Sequence, residues 1–203
     1  MAKRPDLFEA DPDDTREAIM KATYEALSKH GYADLTIQRI GDEFDKSKSL
    51  LYHHYDSKDA LLVDFLGFML ERTEGAIPLE EADAVDERLR IGLDHVFTEI
   101  IGGNREEFNR AITELRAQSA HDDSFCEQFT KNDRYFKQRV QGILEAGIEQ
   151  GVFREVDTEQ VAAMIVTIIQ GATFQSTTST EPDLEAVRAE LDAYFQARLL
   201  AEE

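Results

Sequence analysis

The stretch Leu51-Tyr52-His53-His54-Tyr55-Asp56-Ser57-Lys58-Asp59-Ala60-Leu61 sets the fold of this chain. Leu51 and Tyr55 stand one helical turn apart and read as the inward side of a short helix. Lys48, Ser49, Tyr52, His53 and His54 are left as a polar, basic and partly aromatic surface. Ser57 reads as the cap of a longer helix carrying Leu61, Leu62, Phe65, Leu66, Met69 and Leu70. Just upstream, Asp45-Lys46-Ser47 breaks away from another short helix, capped by Thr36, with Ile37, Ile40 and Phe44 inward. Two short helices joined by so brief a turn, braced by a longer helix before them, make the tri-helical arrangement that reads DNA. The outward surface has the residue types that phosphates and base edges call for.

Outward from this motif, helical periodicity runs almost end to end. Asp14 with Glu17 opens a first helix whose apolar face holds Ala18, Ile19, Ala22, Ala26 and Leu27 and which ends at His30-Gly31. Residues 1–14, with Pro5 and Pro12, read as a loose acidic arm. Ile77-Pro78 ends the fourth helix. A fifth is expected from Val85 to Ile101, halted by Gly102-Gly103; a sixth around Phe108, Ile112 and Leu115; a seventh from about Ser124 to Gln150. Gly151-Val152-Phe153-Arg154 is a turn, Asp157 with Gln160 caps an eighth helix, and a ninth follows Glu181-Pro182. The expectation is an all-α chain of about nine helices.

Composition removes several classes of function. No apolar run approaches the roughly 18 residues a membrane span needs, so no membrane partner is expected. The start, Met1-Ala2-Lys3-Arg4-Pro5-Asp6, has no apolar leader segment, which predicts a cytoplasmic protein. Cys126, the single cysteine, allows no internal disulfide and no multi-cysteine metal site. His30, His95 and His121 lack the four-residue helical spacing of metal ligands, and adjacent His53 and His54 diverge on a helix. Neither a phosphate-cradling glycine loop nor a nucleophile elbow appears, so no enzyme, metal or cofactor is expected. A net charge of −20 opposes binding to a polyanion. Its distribution answers the objection: residues 1–60 hold 9 basic and 13 acidic side chains, and from Thr36 to Lys58 the two signs balance.

The motif also resembles the signature of TetR-family regulators: Leu-Tyr, a variable residue, an aromatic or His, Phe, a break, then Ser-Lys, an acid and Ala-Leu. Gly31 before Thr36-Ile37-Gln38-Arg39-Ile40 and the later turn Glu149-Gln150-Gly151-Val152-Phe153-Arg154 are similar to the same pattern. The resemblance implies an arm at 1–14, a helix-turn-helix domain at 15–60 and an effector-binding and dimerisation domain at 61–203. It implies that Lys48 and Ser49 face base edges with Leu50 beside them. Thr36, Gln38, Ser47, Tyr52, His54 and Lys58 would then hold phosphates, with His53 on the same surface. For Arg39 the competing reading is a pair with Asp42 or Glu43 on its own helix. The implied effector pocket draws on Phe65, Phe68, Met69, His95, Phe97, Phe108 and Phe129. The implied dimer interface draws on Ile165, Ile168, Ile169, Leu191, Tyr194, Phe195 and Leu199.

These features predict a homodimeric repressor that a small-molecule effector releases from a palindromic operator in double-stranded DNA. The chain also departs from the pattern. Asp45-Lys46 replaces the Gly and small aliphatic usual in the turn, and Leu50 replaces a small hydroxyl residue. Those departures favour the alternative, a ligand- or partner-binding dimer whose degenerate motif no longer binds DNA. The strong acidity, with 8 Lys against 14 Arg, points to a halophilic archaeon, whose molar salt would confine charge repulsion to near contacts. The plainer reading is an acidic mesophilic regulator.

Overall fold

The computed structural model describes residues 14–76, 84–103 and 105–201, with Phe8 and Ala82 besides. Most of the 1–14 arm and the Ile77-Pro78 step therefore lie outside the described residues. Nine α-helices run through the described part: α1 Thr15–His30, α2 Ile37–Asp42, α3 Lys48–His54, α4 Lys58–Ala76, α5 Val85–His95, α6 Glu106–Gln118, α7 Asp123–Glu149, α8 Thr158–Thr178 and α9 Leu184–Tyr194.

Several boundaries follow from local chemistry. The Asp14 carboxylate accepts from the Arg16 backbone N–H at 3.1 Å, and Thr36 accepts from that of Arg39 at 3.1 Å. Ser57 Oγ accepts from the Ala60 N–H at 3.0 Å. Asp157 holds Gln160 twice, accepting from its backbone N–H at 3.0 Å and its side-chain amide at 2.8 Å. The bonds from backbone N–H groups satisfy donors that a helix start leaves open. Gly31 closes α1 at φ +66°, in the left-handed region that a Cβ disfavours.

The expected fifth helix is two segments. Beyond His95 the chain widens into a π-helical stretch, Val96–Ile101, where the Gly102 N–H reaches back five residues to the Phe97 carbonyl at 3.0 Å. Buried Asn109 donates its amide to the Ile100 carbonyl at 2.6 Å and supports that turn. A second π-helical stretch, Phe195–Leu199, extends α9. Apolar periodicity does not register one extra residue per turn, so neither stretch shows in the sequence.

The chain divides into two units. The first comprises residues 1–76 and 110–130. Its buried side chains include Ile19, Leu27, Ile40 and Leu51 from α1 to α3, Leu61, Leu62 and Phe65 from α4, and Leu115, Phe125 and Phe129. Helix α4 thus belongs with the DNA-reading helices, beyond the residue-60 boundary expected above. The second unit comprises residues 77–109 and 131–203, around a core of Val85, Leu89, Leu93, Leu144, Phe153, Val161, Ala162, Ile165 and Leu199. Phe153 occupies this core because Gly147 has no side chain: a Cβ there would sit 2.0 Å from the ring. The segment then pairs with the C-terminal end, Arg154 N–H donating to Leu199 at 2.7 Å and Ala201 N–H to Val152 at 3.0 Å. This isolated bridge between Phe153 and Leu200 is a contact that sequence periodicity gave no sign of.

Candidate nucleic-acid interface

Helix α3 is held by its underside and bare on top. Leu51 is fully buried, while Lys48, Ser49, Tyr52, His53 and His54 are exposed, Tyr52 by 60%. Thr36, Gln38 and Ser47 are exposed as well; Leu50 and Lys58 are half-buried. The structure therefore brings the expected DNA-facing residues onto α3, its approach and the first turns of α2 and α4.

Three supports of α3 were not read from the sequence. Gly41 of α2 lies against Lys48 and Leu51, where an added Cβ would meet the Lys48 Cγ at 3.1 Å and the Leu51 Cδ1 at 3.4 Å. The Lys48 stem crosses that glycine and its ammonium pairs with Asp42. At the far end, the Tyr55 hydroxyl donates to Asp64 of α4 at 2.5 Å. Asp64 also accepts from Arg16 Nη2 at 2.6 Å and Nε at 3.3 Å, joining α1, the end of α3 and α4 through one carboxylate. Burial alone would raise the Asp64 pKa; the hydrogen bonds from Arg16 and Tyr55 outweigh it and hold the carboxyl below its usual range. Burial, then the bond to Asp64, pushes the Tyr55 hydroxyl pKa well up. Single-sequence reading recognises such long-range polar partners poorly, because Arg16 and Asp64 are ordinary on a solvated helix.

Two cations take other partners than expected. Arg39 does not pair with Asp42 or Glu43: its guanidinium donates to the Asp34 carbonyl, while Lys29 takes Glu43. The cause is geometric, since the loop before α2 turns the Asp34 carbonyl toward the helix start. Lys58 lies over the Tyr32 ring, 4.1 Å from its centroid, which fixes the ammonium at the entry of α4.

The expected pocket residues are divided between the two units. Phe65, Phe68 and Phe129 are buried in the first unit and Phe108 in the second; Met69, His95 and Phe97 are half-buried. Burial pushes the His95 imidazole pKa down, against the opposing charge of Glu99. A cavity of about 680 Å³ lies elsewhere, in the second unit, between the start of α8 and the end of α9.

Three of the expected dimer residues need a correction. Ile165, Leu191 and Leu199 are buried within the single chain, and Ile169, Tyr194 and Phe195 pack against its core. Ile165, Leu191 and Leu199, enclosed by their own chain, have no surface to offer a partner, whereas Ile168, Ile169, Tyr194 and Phe195 are half-buried and keep some. The exposed residues of α8 and α9 include Thr167, Gly171, Phe174, Ala189 and Ala193, beside half-buried Ile168. Apolar pattern marks a face as buried without saying against what.

A DNA-reading trihelical unit and a larger helical unit in one chain define a helix-turn-helix regulator of transcription. A family model for bacterial regulatory proteins of the tetR family matches residues 19–65, and one for the C-terminal region of BetI-type transcriptional repressors matches residues 85–200. The chain belongs to the TetR family and is a DNA-binding regulator. A TetR transcription regulator from Haloarcula marismortui is 37% identical, with a TM-score of 0.82 over 91% of this chain and 97% of that one. The transcriptional repressor AcnR of Corynebacterium glutamicum is 23% identical over 89% of this chain and 90% of its own. A transcriptional regulator from Saccharomonospora viridis, solved in complex with choline, shares the fold at 19% identity and a TM-score of 0.76, over 92% of this chain and 98% of that one. Among the described residues, no helix is long and apolar enough to cross a membrane.

Proposed function

We propose that the chain acts as a homodimeric repressor that occupies a palindromic operator and leaves it when a small-molecule effector binds. The observation that carries the DNA contact is the exposed face of α3, with Lys48, Ser49, Tyr52 and His54 presented by a helix locked at Leu51 and Tyr55. Despite Asp45-Lys46, the turn from α2 to α3 leaves two short helices in helix-turn-helix order, so the reading without DNA binding gains no support. In the dimer, α3 and its mate are to meet successive major grooves, roughly 34 Å apart. A gel shift against the DNA upstream of the protein's own gene, in molar KCl, tests the proposal. A retarded, competitor-resistant band is expected; its absence for every upstream fragment would refute operator binding.

For the effector, half-buried His95 and Phe97 are the expected pocket residues of the second unit with surface left to offer. The choline bound to the Saccharomonospora regulator supports a small organic cation as the first class to screen, and the excess of acid in this chain agrees with it. The switch must obey linkage: an effector that weakens operator binding tenfold, about 1.4 kcal/mol of coupling, must itself bind tenfold more weakly to the operator complex. Equal effector affinities with and without operator would refute the switch while leaving DNA binding intact.

A further inference from the structure

We propose that Glu114 of α6 is a positioning residue for DNA contact: acting through Tyr32, it fixes where Lys58 stands at the start of α4. This rests on the reading that Lys58 holds a phosphate of the operator. Glu114 comes from outside the three helices of the DNA-reading motif. It lies 82 positions beyond Tyr32 in the chain, yet residues 110–130 belong to the first unit together with residues 1–76.

The linkage starts at the end of α1. Gly31 leaves that helix at φ +66°, and the next backbone N–H, that of Tyr32, donates to Glu114 Oε2 at 2.8 Å. Gly31 also has no side chain to hold α6 away, since a Cβ there would stand 3.3 Å from the same carboxylate oxygen. A turn that glycine takes readily thus leaves one backbone donor open, and a helix distant in sequence satisfies it.

The Tyr32 side chain is held as firmly as its backbone. Phe125 of α7, 1% exposed, meets the ring edge-on with 6.4 Å between centroids. The hydroxyl bonds to Asp59 of α4; burial first, then the charges of Asp59 and Asp122, raises its pKa, so it keeps its proton. Asp122 is committed to the start of α7, accepting from the backbone N–H groups of Ser124 at 2.8 Å and Phe125 at 3.2 Å. A ring fixed at its backbone, edge and hydroxyl is a rigid platform, and the Lys58 ammonium lies 4.1 Å from its centroid. Lys29, Lys48 and Lys137 each pair with a carboxylate, whereas Lys58 forms no salt bridge among the described residues. Its charge is therefore placed by a ring and not neutralised by an acid. A lysine already placed loses less rotamer freedom when it meets a phosphate.

The test uses the full chain, by NMR without DNA and by fluorescence anisotropy with labelled operator DNA over a series of KCl concentrations. In the free protein the Tyr32 ring current should shift the Lys58 ε-methylene protons upfield. Glu114→Ala should move them back toward the ordinary lysine position, and Glu114→Gln, which keeps an acceptor oxygen, should restore most of the shift. Lys58→Met should lower affinity about tenfold for operator and unrelated DNA alike. It should also flatten the log–log salt dependence by about 0.9, the loss of one phosphate contact. Glu114→Ala and Tyr32→Leu should each lower affinity about threefold or more, whereas Tyr32→Phe, which keeps the ring, should bind as wild type. In a Lys58→Met background, Glu114→Ala should change affinity little, because it acts through Lys58. A full additional loss in that background, or a Lys58 resonance unmoved by Glu114→Ala, would overturn the proposal. If Glu114→Ala does not fold, equal DNA affinities of Tyr32→Leu and Tyr32→Phe would overturn it as well. Unchanged affinity and salt slope in Lys58→Met would remove the phosphate contact, and the role of Glu114 with it, while leaving operator binding by α3 standing.

Discussion

Asp64 shows at the scale of one residue how the DNA-reading helix is set. Its carboxylate takes three hydrogen bonds from Tyr55 and Arg16, and nothing else described ties the end of α3 to α4 by a polar contact. Asp64→Asn should therefore lower operator affinity by about tenfold while the dimer persists, a loss of order 1–3 kcal/mol for a charged hydrogen-bond partner. Fluorescence anisotropy with labelled operator measures it. The pH dependence follows from the depressed pKa of Asp64. The contribution is in place above the ordinary carboxylate range and is lost as pH falls through the depressed value. The gap in urea midpoint between wild type and Asp64→Asn should stay constant from neutral pH down to mild acid, then close; a gap that closes near neutrality would mean that another group controls it. On the upper face, Lys48→Ala and Tyr52→Ala should each weaken operator binding with fold and dimer intact. Unchanged affinity in both would move the DNA contact off α3. Asp42→Asn, which frees Lys48 from its ion pair, should leave binding equal or tighter.

At the scale of elements, the end of α7 and the tail of α9 depend on one missing side chain. Gly147→Ala would drive a methyl into the buried Phe153 ring, and the Phe153–Leu200 bridge shares that site. Overpacking of this kind costs about 1–3 kcal/mol, read as a lower urea midpoint. A companion Phe153→Leu change, which shortens the side chain, should recover part of the loss. Leu191→Arg tests the correction made above for α9. Leu191 is 3% exposed in the single chain, so a charge there should unfold the second unit instead of releasing folded monomers. Folded monomers from this variant would return Leu191 to the interface.

For the whole molecule the governing quantity is charge. With −20 net, dilute buffer leaves carboxylates repelling one another over about 10 Å or more, whereas molar salt cuts that range to about 3 Å. Exposed ion pairs such as Lys48–Asp42 and Arg16–Glu71 offset little of this, since such pairs are worth about 0–1 kcal/mol each. The melting temperature should therefore rise steadily from 0.1 M to about 2 M KCl. A melting temperature that falls over the same range would contradict the reading of the acidity as an adaptation to salt. Operator binding should lose less with added salt than for a basic regulator, because few cations release counterions: Lys46, Lys48 and Lys58 are the lysines presented on and beside α3.

Local signals determined most of the architecture. Asp14, Thr36, Ser57 and Asp157 cap helices because a short acceptor before an open N–H suffices, whatever the rest of the chain does. Leu51 is inward and Tyr52 outward because neighbouring residues on a helix diverge by about 100°. The family likewise follows from the run Leu51 to Leu61, since its parts are contiguous. What lies far apart in sequence was decided only by the tertiary structure. The Asp64 cluster, the Gly147–Phe153 fit and the partners of Arg39 depend on which surfaces meet, and no periodicity encodes that. Ile165, Leu191 and Leu199 carry the same apolar signature as interface residues, because burial lowers free energy alike against one's own chain or another. Only packing showed that the chain itself encloses them, leaving Phe174 outside.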